Sequence, residues 1–243
     1  MELEGRVVLV TGGARRIGRA IALRLAGAGC HVAVHYQQSE NDALETATTC
    51  RSRGVSAETF RADLADVAAA TALVSSVLTC FGRLDVLVNN AAVFEPMTLD
   101  AFRLEDWERT LRVNLTAPLV LTHAAQAALE RTSGRIVNLC DAGTRRLWPD
   151  YLAYIVSKGA LETLTRVLAR ALAPRVNVVG IAPGVAAWPE HYDEPTRARL
   201  TSRLPLRRAG SPEDIAAAVH YVLRDGDYIT GAILPIDGGQ HLV

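Results

Sequence analysis

The sequence predicts a single-domain, doubly wound α/β fold. Three observations predict it. Short apolar runs recur along the chain, stretches with apolar residues at helical spacing separate them, and no linker, repeat or low-complexity tract interrupts the alternation. Runs that are apolar at every position are covered on both faces, as in a buried parallel sheet. Val7-Val8-Leu9-Val10 is the first strand, and Ile17 to Ala28 has the spacing of a helix. His31 to His35 follows as the second strand. A weaker strand spans Ser56 to Arg61, and Val67 to Val77 reads as another helix. Asp85 to Val88, Arg135 to Leu139, Val176 to Ile181 and Ile233 to Ile236 complete the strands. The least regular segment runs from about Pro183 to Leu204. It carries Trp188, Pro189 and Pro195, has Pro205 just beyond, and is expected to form a mobile substrate loop.

Composition narrows the function classes. The chain has 243 residues, 49% of them apolar and 21% charged, which is ordinary globular composition. Its 26 basic and 26 acidic residues cancel, so the basic footprint of a nucleic-acid binder is absent. Zero net charge is compatible with self-association. Cys30, Cys50, Cys80 and Cys140 are scattered, with no C-x-x-C pair. They read as reduced, small buried hydrophobes, and no clustered ligand set suggests a metal. The polar start Met-Glu-Leu-Glu-Gly-Arg is not a signal peptide, and no apolar stretch reaches membrane length. A cytoplasmic protein without nucleic-acid or membrane partners is expected.

The first strand runs into Thr11-Gly12-Gly13-Ala14-Arg15-Arg16-Ile17-Gly18. Glycines let backbone turn sharply and approach a phosphate, and the next helix offers free N–H groups to an anion. The loop therefore reads as a dinucleotide cradle, with a plain tight turn as the alternative. An NAD-specific fold usually ends its second strand on a carboxylate for the ribose 2′-hydroxyl. Here the chain reads His35-Tyr36-Gln37-Gln38-Ser39, without one. Hydroxyl and amide donors suit a 2′-phosphate, so NADP is preferred. Asp63-Leu64 is placed beside the adenine, although Asp63 equally suits a helix N-cap.

Tyr154-Ile155-Val156-Ser157-Lys158 lies in a helical pattern, where positions four apart share a face. An ammonium near the phenol is expected to lower its pKa and make it a better proton donor and acceptor. Alone the pair could be a surface pair; beside the glycine loop and Asn89-Asn90-Ala91 it gains weight. Asn114 is polar within an apolar helical pattern. It suits either a water in a proton relay or a helix kink.

With these pieces the chain resembles the short-chain dehydrogenase/reductases over essentially its whole length. The matching segments are Thr11 to Gly18, Asn89-Asn90-Ala91, Asn114, Tyr154 with Lys158, Pro183-Gly184 and Asp237-Gly238-Gly239. The resemblance implies a seven-stranded parallel Rossmann sheet with helices on both faces and a homotetramer. It also implies Tyr154 as acid/base, with Lys158 on the nicotinamide ribose. The cofactor-binding set it implies is Gly12, Arg15, Arg16, Ile17, Gly18, His35, Tyr36, Gln37, Ser39, Asp63, Leu64, Asn90, Ala91, Tyr154, Lys158, Pro183 and Gly184.

Two departures point to one branch. Most members carry a serine thirteen residues before the tyrosine, where this chain has Asp141, and a glycine in the loop where it has Arg16. Both resemble the pteridine reductases and dihydromonapterin reductases. That resemblance implies a pterin substrate, of the dihydrobiopterin, dihydromonapterin or dihydrofolate class. It implies catalytic Asp141, Tyr154, Lys158 and Asn114, and a substrate site of Arg16, Phe94, Asp141, Tyr151, Tyr154 and Trp188. Phe94 would stack on the pterin, and Arg16 would reach both pyrophosphate and substrate. Burial would raise the Asp141 pKa and keep it partly protonated, ready to help deliver a proton to nitrogen. The plainer alternatives are a turn carboxylate for Asp141, a core aromatic for Phe94 and a solvated cation for Arg16. Gln38 stands where an arginine often meets the 2′-phosphate, and Ala92 where a serine is common. A carbonyl reductase of the same superfamily and a catalytically silent NADP-binding regulator are the competing functions.

Overall fold

Alternation along each strand sends successive side chains to opposite faces, and both faces here are apolar. In the computed structural model, which describes residues 1–188 and 193–243, this builds one seven-stranded sheet. Its strands are β1 (Val7–Val10), β2 (His31–Tyr36), β3 (Ala57–Arg61), β4 (Val86–Asn89), β5 (Arg135–Leu139), β6 (Asn177–Pro183) and β7 (Ile233–Ile236). All neighbours pair in parallel, in the order β3-β2-β1-β4-β5-β6-β7. The helices are α1 (Arg16–Ala26), α2 (Glu40–Arg51), α3 (Val67–Phe81), α4 (Leu104–Leu111), α5 (Ala117–Thr132), α6 (Leu152–Leu172), α7 (Glu194–Thr201) and α8 (Pro212–Arg224). Val8, Val10, Val32 and Val34 pack against α1, α2 and α8 on one face. Val7, Leu9, Leu87 and Ile136 pack against α3, α5 and α6 on the other. The strand order reverses between β1 and β4, so the crevice for a ligand opens at their carboxyl ends.

The expected strands appear with ends shifted by a residue or two. Three expectations need correction. Asp66, not Asp63, caps α3, accepting from the Ala68 and Ala69 N–H groups. The segment expected to be irregular contains α7, which starts at Glu194-Pro195 behind the capping carboxylate of Asp193. Proline suits a first helical turn because its missing N–H would have no partner there. Residues 189–192 of that segment lie outside the described residues, Pro189 among them. Cys80 is exposed, unlike Cys30, Cys50 and Cys140. Among the described residues no helix is long and apolar enough to cross a membrane, and no three metal-ligating side chains gather.

Asp85 pins the amino ends of β1 and β4, the pair whose other ends carry the crevice. It is 0% exposed. Arg6 donates to it at 2.7 Å, the Val7 N–H at 3.0 Å, and Arg83 twice at 2.6 and 2.8 Å. Burial alone would raise its pKa, but these donors together hold it below the usual carboxylate range. Asp85→Ala leaves a buried N–H and two guanidinium groups without their acceptor. It is expected to lower unfolding free energy by about 2 kcal/mol, read from urea denaturation. No measurable loss would show that the two strands hold their register without it.

Candidate active site

The carboxyl ends of β1, β4, β5 and β6 open into a cavity of about 700 Å³. Its dinucleotide end is the glycine loop. Gly12 has φ +60°, and a Cβ there would sit 3.1 Å from both Ala91 and Asn90. A Cβ on Gly18 would lie 2.0 Å from the Gly12 carbonyl oxygen, so only glycine closes the loop onto α1. Arg15, at the N-cap of α1, makes no side-chain cap, which leaves the helix start without an internal acceptor for its N–H groups. A cradle of bare backbone at a helix start fits a pyrophosphate.

Buried polar groups hold this loop from behind. His35 Nδ1 accepts from the Gly12 N–H at 3.0 Å, and Nε2 lies 3.2 Å from the Ala62 carbonyl. The ring is therefore neutral and carries its proton on Nε2. Burial pushes its pKa down to about 4. Asn90 Nδ2 donates to the Thr11 and Gly12 carbonyls at 2.8 and 3.1 Å. Thr11 Oγ1 accepts from the Asn90 and Ala91 N–H groups.

Arg16 occupies a left-handed conformation, φ +50°. That region favours glycine, and a larger residue there costs about 1–2 kcal/mol. The physical reason for the common glycine at this position is thus visible, and so is what Arg16 does instead. Its guanidinium donates to the Ala187 and Trp188 carbonyls at 3.0 and 3.1 Å, tying the segment after β6 to α1. It is exposed at the start of α1, as the solvated-cation alternative expects, while holding these two carbonyls. Arg15 pairs with Asp42 at 2.6 Å.

At the other end α6 presents Tyr154 and Lys158 on one face, and Asp141 approaches from the end of β5. The Tyr154 phenol donates to Asp141 Oδ2 at 2.6 Å. The other carboxylate oxygen accepts from the Gly143 N–H at 2.6 Å and caps a 3-10 turn, Ala142–Arg145. Asp141 is thus both a turn carboxylate and a partner of the tyrosine. Burial raises its pKa, against the opposing pull of the Tyr154 phenol, the Gly143 N–H and Lys158. Burial, then the Asp141 charge, holds the Tyr154 phenol well above its usual pKa. The expectation that Lys158 lowers it is overturned. The ammonium sits 5.7 Å from the ring centroid and donates to the Leu139 carbonyl at 2.6 Å, while the carboxylate touches the phenol itself. Burial also pulls the Lys158 pKa down.

Asn114 does not line the cavity. It lies in a π turn, Arg112–Thr116, between α4 and α5. Its Oδ1 accepts from the Val93 N–H at 2.8 Å, and Nδ2 donates to the Val93 carbonyl and to Ser157 Oγ at 3.0 Å each. Ser157 Oγ donates to the Tyr154 carbonyl at 2.7 Å. The Asn114 side chain clamps the segment before Phe94 to the helix beneath Tyr154, in an irregular turn that fits the kink expectation.

Phe94 stacks on Tyr151, with centroids 4.4 Å apart and an 11° interplanar angle, and meets Tyr154 edge-on at 4.7 Å. Its stacking partner in this structure is therefore a protein ring, although 37% of the residue stays exposed, so it is not a core aromatic. The cavity brings together all the expected cofactor and substrate residues except Tyr36 and Ser39. Tyr36 follows Val32 and Val34 onto the face of β2 that packs on α1 and α2, and it is buried in that core. Ser39 stands at the N-cap of α2, and of the polar run only His35 and Gln37 line the wall. Trp148 was not anticipated. It sits after the 3-10 turn, packs edge-on to Tyr151 and covers Gly143. Residue type alone carries no signal for it, because the turn that aims it is set by Asp141.

The enoyl-(acyl carrier protein) reductase family model matches residues 12–241. FolM alternative dihydrofolate reductase 1 from Brucella canis, solved with NADP, has a TM-score of 0.94 and 37% identity, with 100% of this chain and 96% of that one covered. The 3-oxoacyl-[acyl-carrier-protein] reductase of Synechocystis is 34% identical over 98% of both chains. The 3beta-hydroxysteroid dehydrogenase 1 of Eggerthella lenta is 34% identical over 99% of this chain and 95% of the relative.

His35 generates a pH prediction. The unfolded chain takes a proton near pH 6.5, and the folded chain only near 4. Its stabilising contribution is complete above pH 6.5 and is lost as pH falls toward 4. About 3 kcal/mol is at stake, since each unit is worth about 1.4. Urea denaturation at pH 7 and pH 4.5 should show this loss, and His35→Gln should remove most of the difference. Equal pH sensitivity in both proteins would contradict a neutral ring under the loop.

Proposed function

This chain belongs to the short-chain dehydrogenase/reductase family and is an NADP-dependent oxidoreductase, and we propose that its substrate is a pterin. The observation that carries the proposal is the Tyr154–Asp141 hydrogen bond of 2.6 Å in a site that raises the pKa of both groups. Reduction of a dihydropterin C=N bond consumes one hydride and one proton. When bound, NADPH supplies the hydride. The residues that would hold it are the Gly12–Gly18 loop, Gln37, Asp63, Leu64, Asn90, Ala91, Lys158, Pro183 and Gly184.

The protein supplies the rest. A ketone becomes an alkoxide and needs one neutral donor, which a serine provides. A pterin nitrogen needs a proton delivered to it. Burial pushes both groups toward their protonated forms, Tyr154 well above its usual pKa and Asp141 above the usual carboxylate value. They titrate as a coupled pair, so the pair rather than one residue is the acid. Lys158, fixed on the Leu139 carbonyl, orients the nucleotide ribose in this reading. Phe94, Tyr151 and Trp148 give the cavity a flat aromatic wall suited to a planar ring. The likeness to FolM, a dihydrofolate reductase by name, supports the same reading.

A carbonyl reductase is the second reading, favoured by the names of the Synechocystis and Eggerthella relatives. In that reading Asp141 simply replaces serine. We also propose a homotetramer; exposed Leu119 on α5 and Val156 and Val167 on α6 supply apolar surface for it.

The test is NADPH oxidation with dihydrobiopterin, dihydromonapterin, dihydrofolate, ketones and quinones, run beside NADH. Turnover of pterins with NADPH preferred is expected. Turnover of ketones alone would reject the pterin, and tight NADPH binding with no turnover of either would favour a regulator. Tyr154→Phe should lower turnover by about 100-fold or more while leaving NADPH affinity nearly intact, because it deletes only the proton handle. Asp141→Ser should cut pterin reduction by about 100-fold and cofactor affinity far less. Equal losses in turnover and affinity would make Asp141 a structural residue.

A further inference from the structure

Tyr154, Lys158 and Glu162 are spaced by four along α6 and share one face. The third of them has no part in the mechanism above. Its side chain is only 16% exposed. Thr144 Oγ1 donates to Glu162 Oε1 at 2.7 Å and lies 3.0 Å from the Asp141 carbonyl oxygen. A hydroxyl has one proton, and the nearer, charged acceptor takes it. Thr144 belongs to the 3-10 turn that the Asp141 side chain caps. Glu162 therefore grips, through one hydroxyl, the turn that aims Asp141.

Charge makes the second link. Asp141 and Glu162 are two carboxyl groups joined through the Thr144 hydroxyl, and a negative charge on one disfavours a negative charge on the other. Arg166 approaches Glu162 at 3.5 Å, but its side chain is 54% exposed and its field is screened by water. The other groups facing Asp141 are the Tyr154 phenol and the Cys140 thiol, both of which keep their protons. From the packed turn Gln240–Leu242, His241 is already paired with Asp237 at 2.7 Å.

We propose that Glu162 is a positioning residue that anchors the Asp141 turn through Thr144 and, as a second carboxylate against that turn, favours the protonated form of Asp141. The inference rests on Asp141 being the proton source proposed above. The Glu162 field raises the Asp141 pKa, and removal of that charge lets it fall.

The test is carboxyl titration by carbon-13 NMR of the NADP-loaded protein labelled in aspartate, with Asp141 assigned by its loss in Asp141→Asn. No substrate is present, so the result does not depend on whether a pterin is turned over. Glu162→Gln removes the charge and keeps an acceptor for Thr144. The Asp141 midpoint is expected to fall by about one pH unit. Glu162→Asp, which keeps the charge, should hold the midpoint near that of the parent protein. Glu162→Met serves as a second charge-free variant should the glutamine protein fold poorly. An unchanged midpoint in the charge-free variant, or an equal fall in Glu162→Asp, would overturn the proposal. A purely structural Glu162 would lower the melting temperature in all variants without moving the midpoint.

Discussion

The Tyr154 phenol points its proton at an Asp141 carboxylate oxygen 2.6 Å away, on the wall of the cavity. Burial is the dominant influence on both groups, and it favours their neutral forms. The rest of the site holds these two atoms together. From one side, β5 delivers Asp141, and the Gly143 N–H fixes its second oxygen. From the other, α6 delivers Tyr154, with Asn114 and Ser157 locking the helix to the segment that carries Phe94. A serine at position 141 could accept the phenolic proton, but it could not serve as a proton-bearing acid.

The second requirement is a place where a dinucleotide can lie against that pair. Here backbone does the binding and buried side chains shape the backbone. His35, Thr11 and Asn90 each hydrogen-bond the loop or its neighbour strand from within. Arg16 accepts an unfavourable φ, and its guanidinium links the loop to the segment over the cavity. Strain of this kind persists where surrounding contacts over-determine it, and it concentrates at functional sites. The dinucleotide end of the cavity is therefore tied to residues 187 and 188, which also line it.

Most of the fold was legible because continuous apolar runs have one physical solution in a chain of this length: a sheet covered on both faces. Local motifs were legible for a similar reason. Gly12 and Gly18 stand where any Cβ would collide, and Tyr154 and Lys158 are brought together by helical period alone. What the sequence hides is direction. Tyr36 and Gln37 are adjacent polar residues, yet the last position of β2 faces the core and the bend that follows turns Gln37 to the cavity. His35 lines the cavity and also holds the loop from behind through the Gly12 N–H. Asp63 and Asp66 are equally good caps on paper, and the turn geometry selects Asp66. Lys158 was expected to control the phenol, but contact with Asp141 outweighs a charge 5.7 Å from the ring. Trp148 and Glu162 depend on the 3-10 turn, which no period in the sequence announces.

The central proposal is that burial beside Tyr154 keeps Asp141 partly protonated, so that it helps deliver a proton to the substrate. Infrared difference spectroscopy of the NADP-loaded protein against Asp141→Asn measures this directly. The account predicts a protonated-carboxyl C=O band at neutral pH that is absent from the variant. A difference spectrum holding only ionised-carboxylate bands would contradict it.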